Sequence, residues 1–239
     1  MCIDEKTSLN TFVIGTLINF AAIINIFTAK IQQSEKIKYI SIILVWQYVL
    51  FMQIPDWLAW RHMRLHPNEK IPKSYGILAS ILNYTQPLII LIALLVIKKY
   101  TSSGLSSGLS SGLSLLYGII ALLIYSGFVI YSLCTRHIDF SLKPSGPNCS
   151  LSYNWWTTTQ TIFYLITCTL LLLSLPSKLL TITNLAIFWG SFFISMLISY
   201  LRAKSINNVG FGSLWCWTVG FAGLIIWIVY LIKSRKQLD

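Results

Sequence analysis

KYISIILVWQYVLFMQIPDWLAW, residues 38–60, is the stretch that decides the fold. Between Lys38 and Asp56 it carries no charge, and Asp56 is the only acid in it. A bilayer core about 30 Å thick takes about 20 apolar residues of helix to cross, and this run is long enough. Working outward, six more runs qualify, near 9–29, 75–97, 113–134, 155–175, 179–201 and 213–232. The pattern predicts an all-α fold: an integral membrane bundle of seven transmembrane helices, one membrane domain over residues 1–239. The first run has no basic leader, since Asp4 and Glu5 outweigh Lys6, so it reads as a span and not a signal peptide. Only Pro176, Ser177 and Lys178 part the fifth run from the sixth, which predicts a tight helical hairpin. Six and eight are the neighbouring counts. Pro55 and Pro87 lie inside the second and third runs and should each kink a helix.

Composition agrees. Of 239 residues, 55% are hydrophobic and 10% charged, against about 25% charged in soluble domains. That balance excludes a disordered chain, a collagen and a disulfide scaffold. The net charge of +11 comes from short basic clusters between apolar runs, where membrane proteins carry their cations. No basic stripe or nucleic-acid motif is present, so no nucleic acid is expected as a partner. The lipid bilayer is the expected partner; protein partners and self-association stay open.

Lys and Arg divide nine to nine between the two sides of a seven-span chain, a tie under the positive-inside rule. Lys30, Lys36 and Lys38 after the first span, and the sequon Asn148-Cys149-Ser150 in the longest polar loop, favour the amino terminus outside. Arg61, Arg64, Lys70 and Lys73 pull the other way. Asn148 is the candidate glycosylation site. Cys134 and Cys149 are the candidate disulfide, formed only if that loop meets an oxidising compartment. Cys168 and Cys216 fall inside spans and should act as small apolar residues. Ser-Ser-Gly-Leu occurs three times over 102–113, and a flexible loop over 101–114 is expected from that composition.

An ionisable group in lipid is costly and marks a functional hypothesis. Asp56 is the only acid inside a span, with Gln53 three residues earlier on its face. Four residues from the run's end, it should also reach interfacial water or Arg61. Asn83 and Gln86 share a face of the third span. Gln53, Asp56, Asn83 and Gln86 are the candidate polar pathway. Gln47, Asn19, Asn25, Asn184, Gln160, Tyr164 and Thr167 or Cys168 either extend it or form interhelical hydrogen bonds. His62 and His66 are four apart, but two histidines without a third ligand make a weak metal site, and no metal or cofactor is expected. Trp155, Trp156, Trp215 and Trp217 sit at expected helix ends as interfacial anchors. Small residues from Gly118 to Gly127 and from Gly190 to Ser199 should let helices approach closely. No phosphate loop, nucleophile elbow or metalloprotease helix is present, so catalysis is not expected.

WQYVLFMQIPDWLAW (46–60), NYTQP (83–87), GSLWCW (212–217) and the opening Met-Cys together resemble a poorly characterised family of multi-pass membrane proteins. Its members occur in large DNA viruses and eukaryotic microbes. The resemblance implies no activity; a viral member would lie in a host or virion membrane. Lys204-Ser205 followed by Gly210-Phe211-Gly212-Ser213 is similar, more weakly, to the transporters built on PQ-loop repeats. Ser195-Met196 stands where their Pro-Gln pair falls. Rhodopsins do not fit, because 213–232 contains no lysine. The leading expectation is a multi-pass membrane protein of unknown activity, with small-solute or proton-coupled transport first among candidates. The alternative is a non-transporting adaptor or receptor-like protein acting through its loops. A water-filled cavity at Asp56 would favour the first, a dry packed interior the second.

Overall fold

The computed structural model describes residues 4–101, 109–135, 138–145, 150–153, 155, 157–203 and 220–235. The elements in order are α1 (Glu5–Thr28), α2 (Gln33–Leu50), α3 (Gln53–Leu65), α4 (Lys73–Thr101), α5 (Leu109–Thr135), β1 (Leu142–Ser145), β2 (Ser150–Tyr153), α6 (Thr158–Leu173), α7 (Lys178–Ala203) and α8 (Ala222–Arg235). The chain is all-α apart from one antiparallel hairpin, β1–β2, in which Leu142 faces Tyr153 and Pro144 faces Leu151.

Five stretches are long and apolar enough to cross a membrane: 5–28, 33–65, 73–100, 115–135 and 178–197. Of the other two expected spans, the fifth comes out shorter, and the seventh is described only from Gly220 on. Asp4 caps α1 by accepting from the Thr7 N–H at 2.6 Å. A capping box of Thr157 and Gln160 likewise fixes the start of α6, so α6 has 16 residues and residues 155–157 stay outside it. Described residues of the last helix begin at Ala222 after a turn at Gly220 and Phe221. The expected hairpin at Pro176 is present, with Ser177 leading directly into α7. Of the expected flexible loop, residues 102–108 lie outside the described residues, and from Leu109 the chain, with the third repeat copy, is helix, because leucines spaced by four match the helical repeat and continue the apolar run.

Pro55 interrupts the second run. Its missing N–H would have bonded the Phe51 carbonyl. The Ile54 N–H takes that carbonyl at 3.0 Å, and a tight turn at Phe51–Met52 divides α2 from α3. At Pro87, by contrast, α4 runs on unbroken.

The main core joins α1, α2, α4, α5, α6, α7 and α8 through residues such as Ile43, Leu94, Tyr125, Leu171, Phe188 and Ile226. α1 buries only a narrow stripe, Ser8, Gly15, Asn19, Ala22 and Ile26. Its other apolar side chains point outward, Leu17 at 64% exposure, and Leu123 of α5 is 68% exposed. Apolar surface on this scale has no place in water.

A second layer covers one end. Leu142 and Leu151 of the hairpin bury against Ala59 of α3 and Ile71, with Trp60, Met63 and Tyr75 around them. Each buried leucine contributes about 2 kcal/mol. The chain before the hairpin lies directly on Gly76, where an added Cβ would fall 1.8 Å from the Phe140 carbonyl oxygen. Close approaches also occur at Gly15, Gly118 and Gly223, whereas Gly127 and Gly190 have no described atom within 4 Å of an added Cβ. The expected contact stretches around Gly127 and Gly190 are therefore open at those glycines, because both lie on outward faces of their helices.

Gly76→Ala should destabilise the protein by about 1–3 kcal/mol, because backbone cannot yield as a flexible side chain does. Gly127→Ala should be neutral or stabilising, as expected from the higher helix propensity of Ala. Thermal unfolding of both variants in detergent checks the pair.

Candidate functional site

The four pathway residues occupy two adjacent helices. Gln53 and Asp56 lie on α3, which packs against α1 and α4, and both are fully buried, Asp56 at 0% exposure. The helix continues to Leu65, so Asp56 is nine residues from its end and not four. It is burial among α1, α3 and α4, and not distance from the helix end, that keeps Asp56 from the surface. Arg61 turns instead to the Trp57 ring, 5.3 Å from its centroid.

On α4, Asn83 is half-buried and Gln86 buried. Gln86 Nε2 donates to Asn83 Oδ1 at 3.2 Å, and the Tyr164 hydroxyl of α6 donates to Gln86 Oε1. One turn nearer the hairpin end, Gln160 Nε2 donates to the Tyr84 hydroxyl at 3.0 Å, and that hydroxyl donates to the Trp155 carbonyl at 3.2 Å. Gln160 also accepts the Thr157 N–H at 2.7 Å, so one side chain caps its own helix and grips α4.

Trp155 is no interfacial anchor. It is 2% exposed, set against Met52 and Ala79 and edge-on to Tyr84 at 5.6 Å. The capping box holds it off the start of α6 and turns the ring inward, over the α2–α3 break.

The remaining amides act as ties. Asn19 Nδ2 donates to Gln47 Oε1 at 2.8 Å, and Gln47 Nε2 donates to the Thr16 hydroxyl at 3.0 Å, joining α1 to α2. Trp46 Nε1 donates to Asn184 Oδ1 at 2.8 Å between α2 and α7. Trp227 Nε1 donates to Asn25 Oδ1 at 3.2 Å between α8 and α1. The Tyr48 and Thr85 hydroxyls lie 2.5 Å apart between α2 and α4. Thr167 donates to the carbonyls of Phe163 and Ala121, the latter on α5. Cys168 is buried in the main core, as a small apolar residue would be.

Two voids are described near the helices that carry these residues. One, among Ile42, Val45, Leu94, Leu172 and Asn184 inside the bundle, holds about 10 Å³, at the lower limit of what one water needs. The larger, about 250 Å³, lies between the start of α1 and Gly220–Phe221, lined by Thr7, Asn10, Thr11, Ile14 and Gly15. None of the four pathway residues lines either.

The covered end is polar outside. Arg64 grips both Glu5 carboxylate oxygens, at 2.5 and 3.1 Å. The Ser141 hydroxyl and N–H donate to Asp139 at 2.6 and 3.0 Å, holding its carboxyl below the usual carboxylate range. His62 and His66 stack at 5.0 Å, with Glu69 3.5 Å from His66. No group of three metal-binding side chains occurs among the described residues. Cys134 is exposed at the end of α5. Asn148, Cys149, Trp156, Cys216, Trp215, Trp217, Lys204-Ser205 and the GSLWCW stretch lie outside the described residues.

The hairpin and its buried leucines went unanticipated. The Ser-Gly-Pro-Asn run over 145–148, a turn composition between Leu142 and Leu151, was the available signal. The class defined by this geometry is an all-α bundle whose longer helices suit a membrane, tied by buried amides and covered at one end. No protein-family model, curated protein or solved structure matches the chain.

A cycle of Gln86→Leu and Tyr164→Phe should give a coupling of about 0.6–2 kcal/mol, the range of interhelical hydrogen bonds in membranes. Unfolding free energies of the two single variants and the double variant measure it, and strict additivity would show that the pair does not act together.

Proposed function

We propose that the protein is a multi-pass integral membrane protein of seven crossings that carries no solute and works through the folded cap at one end. The outward apolar side chains of α1 and α5 support the membrane reading. The salt bridges support an odd number of crossings. Glu5–Arg64 sets the amino terminus beside the end of α3, whereas Lys233–Glu35 sets the end of α8 beside the start of α2. α1, about 36 Å long at about 1.5 Å per residue, separates the two ends.

The observation that carries the reading is the 33-residue run of α2 and α3. At about 1.5 Å per residue its helical path is about 50 Å long, against about 30 Å for the hydrocarbon core. The far half of α3 thus extends past the membrane and, with the hairpin and Ile71, forms a packed cap. The cap presents Arg61, Arg64, His66, Glu69 and Lys70 on its outer side. This is a recognition surface for a protein partner, in keeping with an adaptor. The buried amides hold helices together beneath it, and Asp56 is buried among them. Catalysis has no part in this reading.

Proteoliposomes loaded with a pH-sensitive dye test it. Wild-type protein should pass protons no faster than protein-free vesicles. Asp56→Asn should leave that rate unchanged while lowering stability by about 1–3 kcal/mol, the cost of disturbing a buried polar group. Proton flux that Asp56→Asn abolishes would restore the transport reading.

A further inference from the structure

The two ends of the bundle carry similar numbers of cations and very different numbers of acids. At the capped end the charges alternate. Arg64 pairs with Glu5, Lys143 approaches Asp139 at 3.8 Å, His66 approaches Glu69, and Asp4 caps α1. At the opposite end meet the α1–α2 turn, the end of α4, the α6–α7 turn and the end of α8. There Glu35 is the sole carboxylate among the described residues, and Lys38 and Lys233 both hold it at 2.6 Å. Lys36 is also engaged, donating to the Phe27 carbonyl at 2.7 Å.

Lys30, Lys99, Lys178 and Arg235 remain exposed around this end, one on each of the segments that meet there. Each stands within a turn of outward apolar side chains. Phe27 lies below Lys30, Leu95 and Val96 below Lys99, Leu179 and Ile182 beside Lys178, and Leu231 and Ile232 below Arg235. Cation above, apolar surface beneath: this is the complement of a phospholipid, with its anionic headgroup at the cation and its acyl chain along the helix.

We infer that this end is a binding ring for anionic phospholipid headgroups of the adjoining leaflet. The inference rests on the membrane reading above. The ring selects anionic over zwitterionic lipid because the one carboxylate described there, Glu35, is already held by Lys38 and Lys233, whereas at the capped end Arg64 and Lys143 meet Glu5 and Asp139. Basic groups near an anionic leaflet are attracted to it, and the cytoplasmic leaflet is the anionic one. The ring therefore turns the carboxyl-terminal end of α8 inward and the cap outward, an orientation that a count of Lys and Arg alone leaves tied.

The test uses the full chain reconstituted in phosphatidylcholine vesicles containing a minor fraction of spin-labelled lipid. Electron paramagnetic resonance reads the motionally restricted lipid at the protein surface. Spin-labelled phosphatidylserine should be enriched over spin-labelled phosphatidylcholine by roughly fivefold or more, the effect of about one cation near an anionic surface. Raised salt should lower that enrichment in the unaltered protein, since exposed charges are screened. Combined Lys30→Gln, Lys99→Gln, Lys178→Gln and Arg235→Gln should abolish it. Combined Lys6→Gln, Lys70→Gln, Lys73→Gln and Lys143→Gln at the capped end should preserve it. Equal association of the two lipids, salt-insensitive enrichment, or equal loss in both variants would overturn the proposal. A chain that restricts neither lipid would instead contradict the membrane reading itself.

Discussion

Pro55 brings no N–H to its turn, and much of the architecture follows from how the chain absorbs that loss. The Phe51 carbonyl, deprived of its usual partner, is taken by Ile54, and the backbone tightens at Phe51–Met52. α3 starts anew at Gln53 and packs on α1 and α4. Its buried face carries Gln53, Asp56 and Ala59 inward, and the hairpin closes over the same face through Leu142 and Leu151. Trp155 fills the angle at the break, against Met52.

Between apolar helices in lipid the hydrophobic effect supplies little attraction, so packing and polar ties carry association. The bundle uses both. Amide or hydroxyl bonds join α1 to α2, α1 to α8, α2 to α4, α2 to α7, α4 to α6 and α5 to α6. Glycines supply the close approaches: Gly223 of α8 meets Asn19 of α1, whose amide also bonds Gln47 of α2. Of the four candidate pathway residues, Gln86 is engaged in such a coupling, through the Tyr164 hydroxyl of α6. Asp56 is the residue at which the two explanations differ most.

The helices were legible because apolar length is a strong signal, and their limits were less so because caps decide them. Thr157 and Gln160 moved the start of α6 past Trp155, and α3 outran the apolar run because Arg61, His62 and Arg64 continue the helix to Leu65. The amides were legible as a set, since Asn and Gln inside apolar runs must find partners, yet their pairing was not. Asn184 bonds a residue 138 positions away, and no local pattern encodes that distance. The hairpin was hidden because four-residue strands carry too few alternations to register, and its burial depends on Gly76 and Ile71, far earlier in the chain.

The central claim is that Asp56 is sealed within the bundle beneath the cap, and thiol accessibility at position 56 tests it most directly. A single cysteine placed there, in a background without the native five, is challenged with a membrane-impermeant reagent from each side in folded protein. A cysteine at exposed Glu69 serves as the control. The account requires labelling at position 69 and none at position 56 from either side. Labelling at 56 would place water against the kinked helix and contradict the account.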